Sequence, residues 1–359
     1  MNFDQPIGGD HFEGIYKKNI NLFFDNKKIL WLNSGRSCID VVIRNLPNNI
    51  TRIFLPNYIC LDTYYKILKK YNFKLFFYSV DEKFTFNLES SLKSNSAIFF
   101  VNYFGISSQL NKIKEIKKKY NPIVIYDLVQ APFFFIDKFK NKINKLDFID
   151  YSFTSFKKGF AIPNGACLYA KCSLIQNNLK SSDYIDPLWK KAVKLKKNYL
   201  IKKKKNLNSE LKYIRAFKII HNENNKYIMS ISKLSFEILN KIDFEKEKQI
   251  RRKNYLFFLD KFKKLDLILP KEKLLKYDIP LFLPLFFFRA SQKKNLMNIL
   301  FQNSYYMPSH WSSNRKISKY LDFKEDLSQR ELSIIIDNRI KFDRNKISNL
   351  IMKTLNEYK

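Results

Sequence analysis

Residues Asp147 to Gly165, DFIDYSFTSFKKGFAIPNG, decide how the chain is read. A β-branched and aromatic run from Phe148 to Phe153 predicts a buried strand. Two lysines, Lys157 and Lys158, follow it, and a turn built from Gly159, Pro163, Asn164 and Gly165 ends the stretch. That order puts both amines on a loop leaving the end of a strand, shielded by aromatic rings. Desolvation there disfavours the ammonium form, and an unprotonated amine is what a Schiff base to an aldehyde cofactor requires. Two lysines in so lysine-rich a chain mean little alone, so the reading depends on what surrounds them.

Upstream, strand and helix alternate. Ile53 to Leu55 ending at Pro56, Phe73 to Val80, Ala97 to Tyr103 and Ile123 to Tyr126 read as strands, and Leu61 to Tyr71 and Leu110 to Tyr120 as helices. This alternation predicts a parallel α/β sheet, whose ligands bind beyond the C-terminal strand ends. The residues at those ends are Asn57 and Tyr58, then Asn102 to Gly105, then Asp127 and Gln130, then Ser155, Lys157 and Lys158. Asp127, following Ile-Val-Ile-Tyr, is expected to be semi-buried and to need a cationic partner, which a protonated pyridine nitrogen supplies. Tyr58 suits stacking on a flat heterocycle. Before them, Ile29 to Leu32 leads into the turn Asn33-Ser34-Gly35-Arg36-Ser37 and a helix carrying Cys38, Ile39, Val41, Val42 and Leu46. Ser34 or Ser37 caps that helix, and its free N–H groups suit a phosphate. Singly, each residue has an ordinary structural use: Asp127 as a cap, Tyr58 as core. Together they describe a cofactor with an aldehyde, a ring nitrogen and a phosphate.

With these pieces in order, the chain resembles the DegT/StrS-type (DegT/DnrJ/EryC1/StrS) sugar aminotransferases, which are fold-type I pyridoxal phosphate enzymes. The resemblance is carried by Ser34-Gly35-Arg36-Ser37, Leu55-Pro56-x-Tyr58, Asn102-Tyr103-Phe104-Gly105 and Tyr126-Asp127-x-x-Gln130-Ala131. It continues through Ser155-Phe156-Lys157-Lys158, Pro163-Asn164-Gly165, His310-Trp311 and Leu332-Ser333-x-x-x-Asp337-Asn338-Arg339, and so runs from about residue 7 to the end.

The resemblance implies an α/β large domain with a mainly parallel sheet, plus a smaller α+β C-terminal domain. The expected boundaries are an arm over 1–30, the cofactor domain with trailing helices over 31–240 and the small domain over 241–359. It implies pyridoxal 5'-phosphate as cofactor, with Asp127 on the pyridinium nitrogen and Gln130 on the ring hydroxyl. Ser34, Gly35, Arg36 and Ser155 would surround the phosphate, and Tyr58 would stack on the ring. The Schiff-base lysine is Lys158 when counted from Ser155 and Lys157 when counted from Ser152; Lys158 is preferred, and either would also move the proton during transfer. His310, Trp311 and Arg339 would touch substrate, Arg339 through a carboxylate. The implied reaction moves an amino group, expected to be glutamate's, to a keto group of a nucleotide-linked sugar for surface polysaccharide or amino-sugar synthesis, in a homodimer. Three departures stand out: Asn164 replaces an acidic residue, Ala166 replaces a second glycine, and no Gly-x-Asn-x-Arg segment follows the lysines.

Downstream of Gly165 there is no further glycine, and Ser182 to Asn240 reads as lysine-rich helix, including the run Lys202 to Lys205. A helix through Phe262, strands near Leu267 to Leu269 and over Leu281 to Phe288, a helix near Lys294 to Gln302 and a last helix from Asp343 are expected beyond it. The formal charge of +33 over 359 residues is spread along the chain with abundant Asn, Ile, Phe and Tyr. An AT-rich coding bias explains that spread, so nucleic acid is not expected as a partner. The alternative is a noncatalytic basic protein of the same fold that binds a polyanion. Four dispersed cysteines and three dispersed histidines give no metal-type spacing. The N-terminal MNFDQPIGGD carries no leader pattern, and no apolar run reaches membrane-spanning length. A cytoplasmic protein is expected.

Overall fold

The computed structural model describes residues 7–8, 11, 14–16, 29–88, 92–106, 109–139, 146–174, 178–201, 207–311, 326–340 and 343–356. The Lys202 to Lys205 run lies outside them. In chain order the elements begin with β1 (Ile7–Gly8), β2 (Ile29–Leu32), α1 (Gly35–Arg44), β3 (Arg52–Pro56), α2 (Leu61–Leu68), β4 (Lys74–Val80) and β5 (Phe86–Asn87). They continue with β6 (Ser96–Val101), α3 (Leu110–Tyr120), β7 (Ile123–Asp127), α4 (Pro132–Phe139), β8 (Tyr151–Ser155) and β9 (Ala166–Ala170). After these come α5 (Ile185–Ile201), α6 (Leu207–Asn224), α7 (Lys233–Leu239), α8 (Phe244–Phe262), β10 (Phe282–Phe286) and α9 (Ala290–Gln302). The last are β11 (Tyr305–Tyr306), α10 (Leu327–Arg330), β12 (Glu331–Ile335) and α11 (Arg344–Asn356).

Eight strands form the main sheet in the order β2-β9-β8-β7-β6-β3-β4-β5. Pairings from β4 through β8 are parallel, whereas β9 runs against both of its neighbours and β5 against β4. β6 is buried at every position and β8 likewise, as strands covered on both faces must be. The parallel run brings the C-terminal ends of β3, β6, β7 and β8 to one rim, with Val101 opposite Asp127 and Asp127 opposite Phe153 in register.

β8 starts at Tyr151 rather than Phe148. Residues 146–149 close a tight turn, with Ile149 N donating to Leu146 O at 3.0 Å, so Phe148 never joins the ladder. The expected strand near Leu267 to Leu269 reduces to one bridge, Ile268 to Phe286. β10 and β12 pair antiparallel in a second sheet. The N-terminal arm reaches this region: β1 pairs with β11, and Asp243 N donates to Ile15 O at 2.9 Å. One hydrophobic core runs from Leu32 to Leu355 through both sheets.

Candidate active site

At the centre of the rim, Asp127 ends β7 and is buried. Its Oδ2 accepts from the Tyr64 hydroxyl at 2.6 Å and its Oδ1 from Val129 N at 2.8 Å. Burial pushes the carboxyl up to about 6, opposed by the Tyr64 and Val129 hydrogen bonds and by the charge of Lys158. Lys158 thus contributes charge at Asp127. It is exposed and Lys157 half-buried, both in the 310 turn Phe156–Lys158 that leaves β8.

The turn before α1 is built as the serines suggested. Ser34 is the cap, accepting from Ser37 N at 3.1 Å, and Ser37 instead donates to Asn33 Oδ1 at 2.7 Å. The first intrahelical bond is Cys38 N to Ser34 O, so the N–H groups of Gly35 and Arg36 precede the helical ladder. A Cβ on Gly35 would stand 3.2 Å from Val129 Cγ2 and 3.6 Å from Ser155 Cβ. The missing side chain therefore lets the helix start close on the ends of β7 and β8. Ser155 makes no capping bond there, and the buried Nε of Arg36 has no hydrogen-bond partner. Asp127 contributes to raising the Cys38 thiol, after burial, so the first turn of α1 passes within electrostatic reach of the carboxylate.

Gln130 accepts from Phe104 N at 3.2 Å through its Oε1. Phe104 has φ 54°, a left-handed conformation that costs a bulky residue energy, and such strain gathers at functional sites. Tyr58 departs from the expectation that it lies on a cofactor ring. It is 3% exposed and stacks on Tyr103 with centroids 5.5 Å apart, with Trp311 edge-on at 4.7 Å. Its place is in an aromatic wall. Trp311, at φ 57°, closes that wall by stacking on Phe104.

His310 is brought to the same wall, 5.0 Å from the Phe104 ring, and is fixed from behind. Its backbone N donates to Glu331 Oε2 at 2.6 Å, and its Nδ1 lies 3.0 Å from Ser333 Oγ. Arg339 is placed differently from the expectation: its Nε and Nη2 donate to Asp337 at 2.9 and 2.7 Å. A fork already seated on a buried carboxylate is not offered to a substrate.

Sequence reasoning missed Tyr64, Glu331 and Arg251. Tyr64 shares the buried face of α2 with Leu61, Ile67 and Leu68. A tyrosine on such a face needs a partner for its hydroxyl, and that was the available signal.

No family model and no curated protein matches the chain. Solved structures do. PseC of Helicobacter pylori, an aminotransferase of pseudaminic acid biosynthesis, superposes with a TM-score of 0.60 at 14% identity, covering 92% of this chain and 87% of that one. The chain has the fold of fold-type I aminotransferases. A DegT DnrJ EryC1 StrS aminotransferase from Brucella abortus gives 0.56 at 12% identity over 91% of this chain and 86% of its own. NtdA of Bacillus subtilis, with bound cofactor PMP, gives 0.56 at 13% identity over 91% and 73%.

Proposed function

We propose that this chain is a pyridoxal phosphate-dependent aminotransferase of the DegT/DnrJ/EryC1/StrS type that aminates a keto group of a nucleotide-linked sugar, with glutamate as donor. The carrying observation is the buried carboxylate of Asp127 at the end of β7, held by Tyr64 and Val129, with the lysine turn leaving the adjacent strand β8. A carboxylate raised to about 6 by burial lacks a full counter-charge, and a ring nitrogen that is cationic when paired supplies it.

The residues present fit the cofactor. Each Asp127 oxygen accepts one hydrogen bond and keeps a lone pair. The bare N–H groups of Gly35 and Arg36, the unpartnered Arg36 Nε and Ser155 Oγ form a phosphate cradle at a helix N-terminus. Gln130 keeps its amide nitrogen to donate to the ring hydroxyl, and Lys158 is the amine that binds the aldehyde carbon. When bound, pyridoxal phosphate supplies an electron sink for the carbon that loses its proton. Lys158 would hold or deliver that proton. His310 and Trp311 line the side from which an acceptor would approach, and the aromatic wall of Tyr58, Tyr103 and Phe104 excludes water. The reading includes a cytoplasmic homodimer in amino-sugar or surface-polysaccharide synthesis.

The test is the visible absorbance of the purified protein with added pyridoxal phosphate, before and after borohydride, then peptide mapping. Yellow protein labelled at Lys158 supports the reading, and label at Lys157 reassigns the amine. Colourless, unlabelled protein overturns it and leaves a basic protein of the same fold, whose polyanion binding would fall steeply with salt.

A further inference from the structure

The turn that carries Lys158 is held by a residue outside the site. Arg251 lies on α8 and is 1% exposed. Its Nη2 donates to Gly159 O at 3.0 Å and its Nη1 to Leu281 O at 3.1 Å. Gly159 directly follows Lys158, and Leu281 directly precedes β10. One planar fork thus joins the lysine turn to the start of the second sheet.

The connection continues to the other side of the site. Leu281 N donates to Phe104 O at 2.8 Å, and Phe104 N donates to Gln130 at 3.2 Å. Gly159 and Leu281 are also packed closely, since a Cβ on Gly159 would stand 3.2 Å from Leu281 Cδ1. The two carbonyl hydrogen bonds hold the fork, and its surroundings lie farther off: Glu247 is 3.5 Å from Nε and Asp337 3.8 Å from Nη2, neither hydrogen-bonded to it, and Phe133 presents its ring 5.5 Å away. Asp337 in turn is held by Arg339, which explains why the Arg339 fork is turned inward. A lysine ammonium has the charge but not the planar pair of donors, so only arginine bridges two carbonyls in this way.

We infer that Arg251 is a positioning residue that sets the Lys158 turn against Gln130 and Asp127 by bridging the carbonyls of Gly159 and Leu281. This rests on the reading of Lys158 as the cofactor amine, but its geometry is testable without cofactor.

The experiment compares wild type, Arg251→Lys and Glu247→Gln. Hydrogen exchange is followed without cofactor, and borohydride-trapped pyridoxal phosphate on Lys158 with it. In Arg251→Lys, exchange at Gly159 and Phe160 is expected to rise about 5–10-fold, the effect of one lost hydrogen bond. Exchange in β6 and β7 stays unchanged, and trapping at Lys158 falls by a similar factor. Glu247→Gln leaves the fork in place, and both readouts stay near wild type. Folded Arg251→Lys with wild-type exchange and wild-type trapping overturns the inference.

If Arg251→Lys does not fold, native-state exchange of the wild type in rising denaturant decides. The amides of Gly159 and Leu281 must open together with one midpoint, and separate opening overturns the inference. Failure of wild type to bind pyridoxal phosphate refutes the proposed function, while the exchange comparison still decides the role of Arg251.

Discussion

The hydroxyl of Tyr64 donates to Asp127 Oδ2 at 2.6 Å, tying α2 to the end of β7 beneath the site. Removing it in Tyr64→Phe withdraws a hydrogen bond from a buried carboxylate and moves the Asp127 pKa further above about 6. More of the acid is then protonated at pH 7, where it no longer balances a cationic ring nitrogen. Affinity for pyridoxal phosphate is expected to fall by about tenfold at pH 7 and to recover partly at pH 9. Absorbance titrations at the two pH values check this, and equal affinity for both proteins at pH 7 refutes it.

Asp127 also sets a pH dependence for the cofactor-free protein. Its folded pKa, about 6, lies above its unfolded value, so the folded state holds the proton more tightly. Stability is therefore lost as pH rises from about 4 to about 6 and is flat in this respect above that. Asp127→Asn removes the titration. Relative to wild type, it should gain about 2 kcal/mol between pH 4 and pH 7, measured by urea unfolding of cofactor-free protein. A constant difference across that range rejects this account.

Asp337, 1% exposed, receives Arg339 and lies within 4 Å of Arg251 and of His11 on the N-terminal arm. Despite burial, the charge and hydrogen bonds of Arg339, with the charge of Arg251, hold its carboxyl far below the usual range. Asp337→Ala leaves the buried Arg251 and the half-buried Arg339 without their shared anion and is expected to cost about 3–5 kcal/mol. Chemical denaturation measures it, and a loss below about 1 kcal/mol shows the cluster to be dispensable.

Most of the rim was legible because its residues follow buried strands. A run such as Ile123 to Tyr126 fixes a strand, and the strand fixes where Asp127 emerges. Ser34 and Gly35 lie just beyond β2 and Gln130 just beyond β7, where the order of strands and helices predicts them. What escaped was what binds one segment to another. Arg251 lies on a helix whose buried stripe passes through Glu247, Lys248 and Arg251 before Tyr255 and Phe258, so charge concealed the periodicity. Tyr58 and Arg339 were placed at the right strand end and turn but given to ligands. Tyr103, Trp311 and Asp337, distant in sequence, claim them first.

Gly105 ends the 310 turn Tyr103–Gly105 and packs its backbone against the segment that leads into β10. Its φ is +76°, and an added Cβ would stand 2.2 Å from Ile279 O, a backbone atom that cannot swing aside. Gly105→Ala therefore combines a left-handed penalty with displacement of residues 279–281, and a loss of about 3 kcal/mol or more is expected. Gly159→Ala is the contrast. Its φ of −115° suits any residue, and the nearest atom, Leu281 Cδ1 at 3.2 Å, is a side-chain tip that can rotate. Its cost should stay near or below about 1 kcal/mol. Because Leu281 N bonds Phe104 O, Gly105→Ala should also weaken pyridoxal phosphate uptake. Denaturant unfolding of the two variants side by side checks the ranking, and a Gly105→Ala no less stable than Gly159→Ala would show that the Ile279 carbonyl does not constrain this turn.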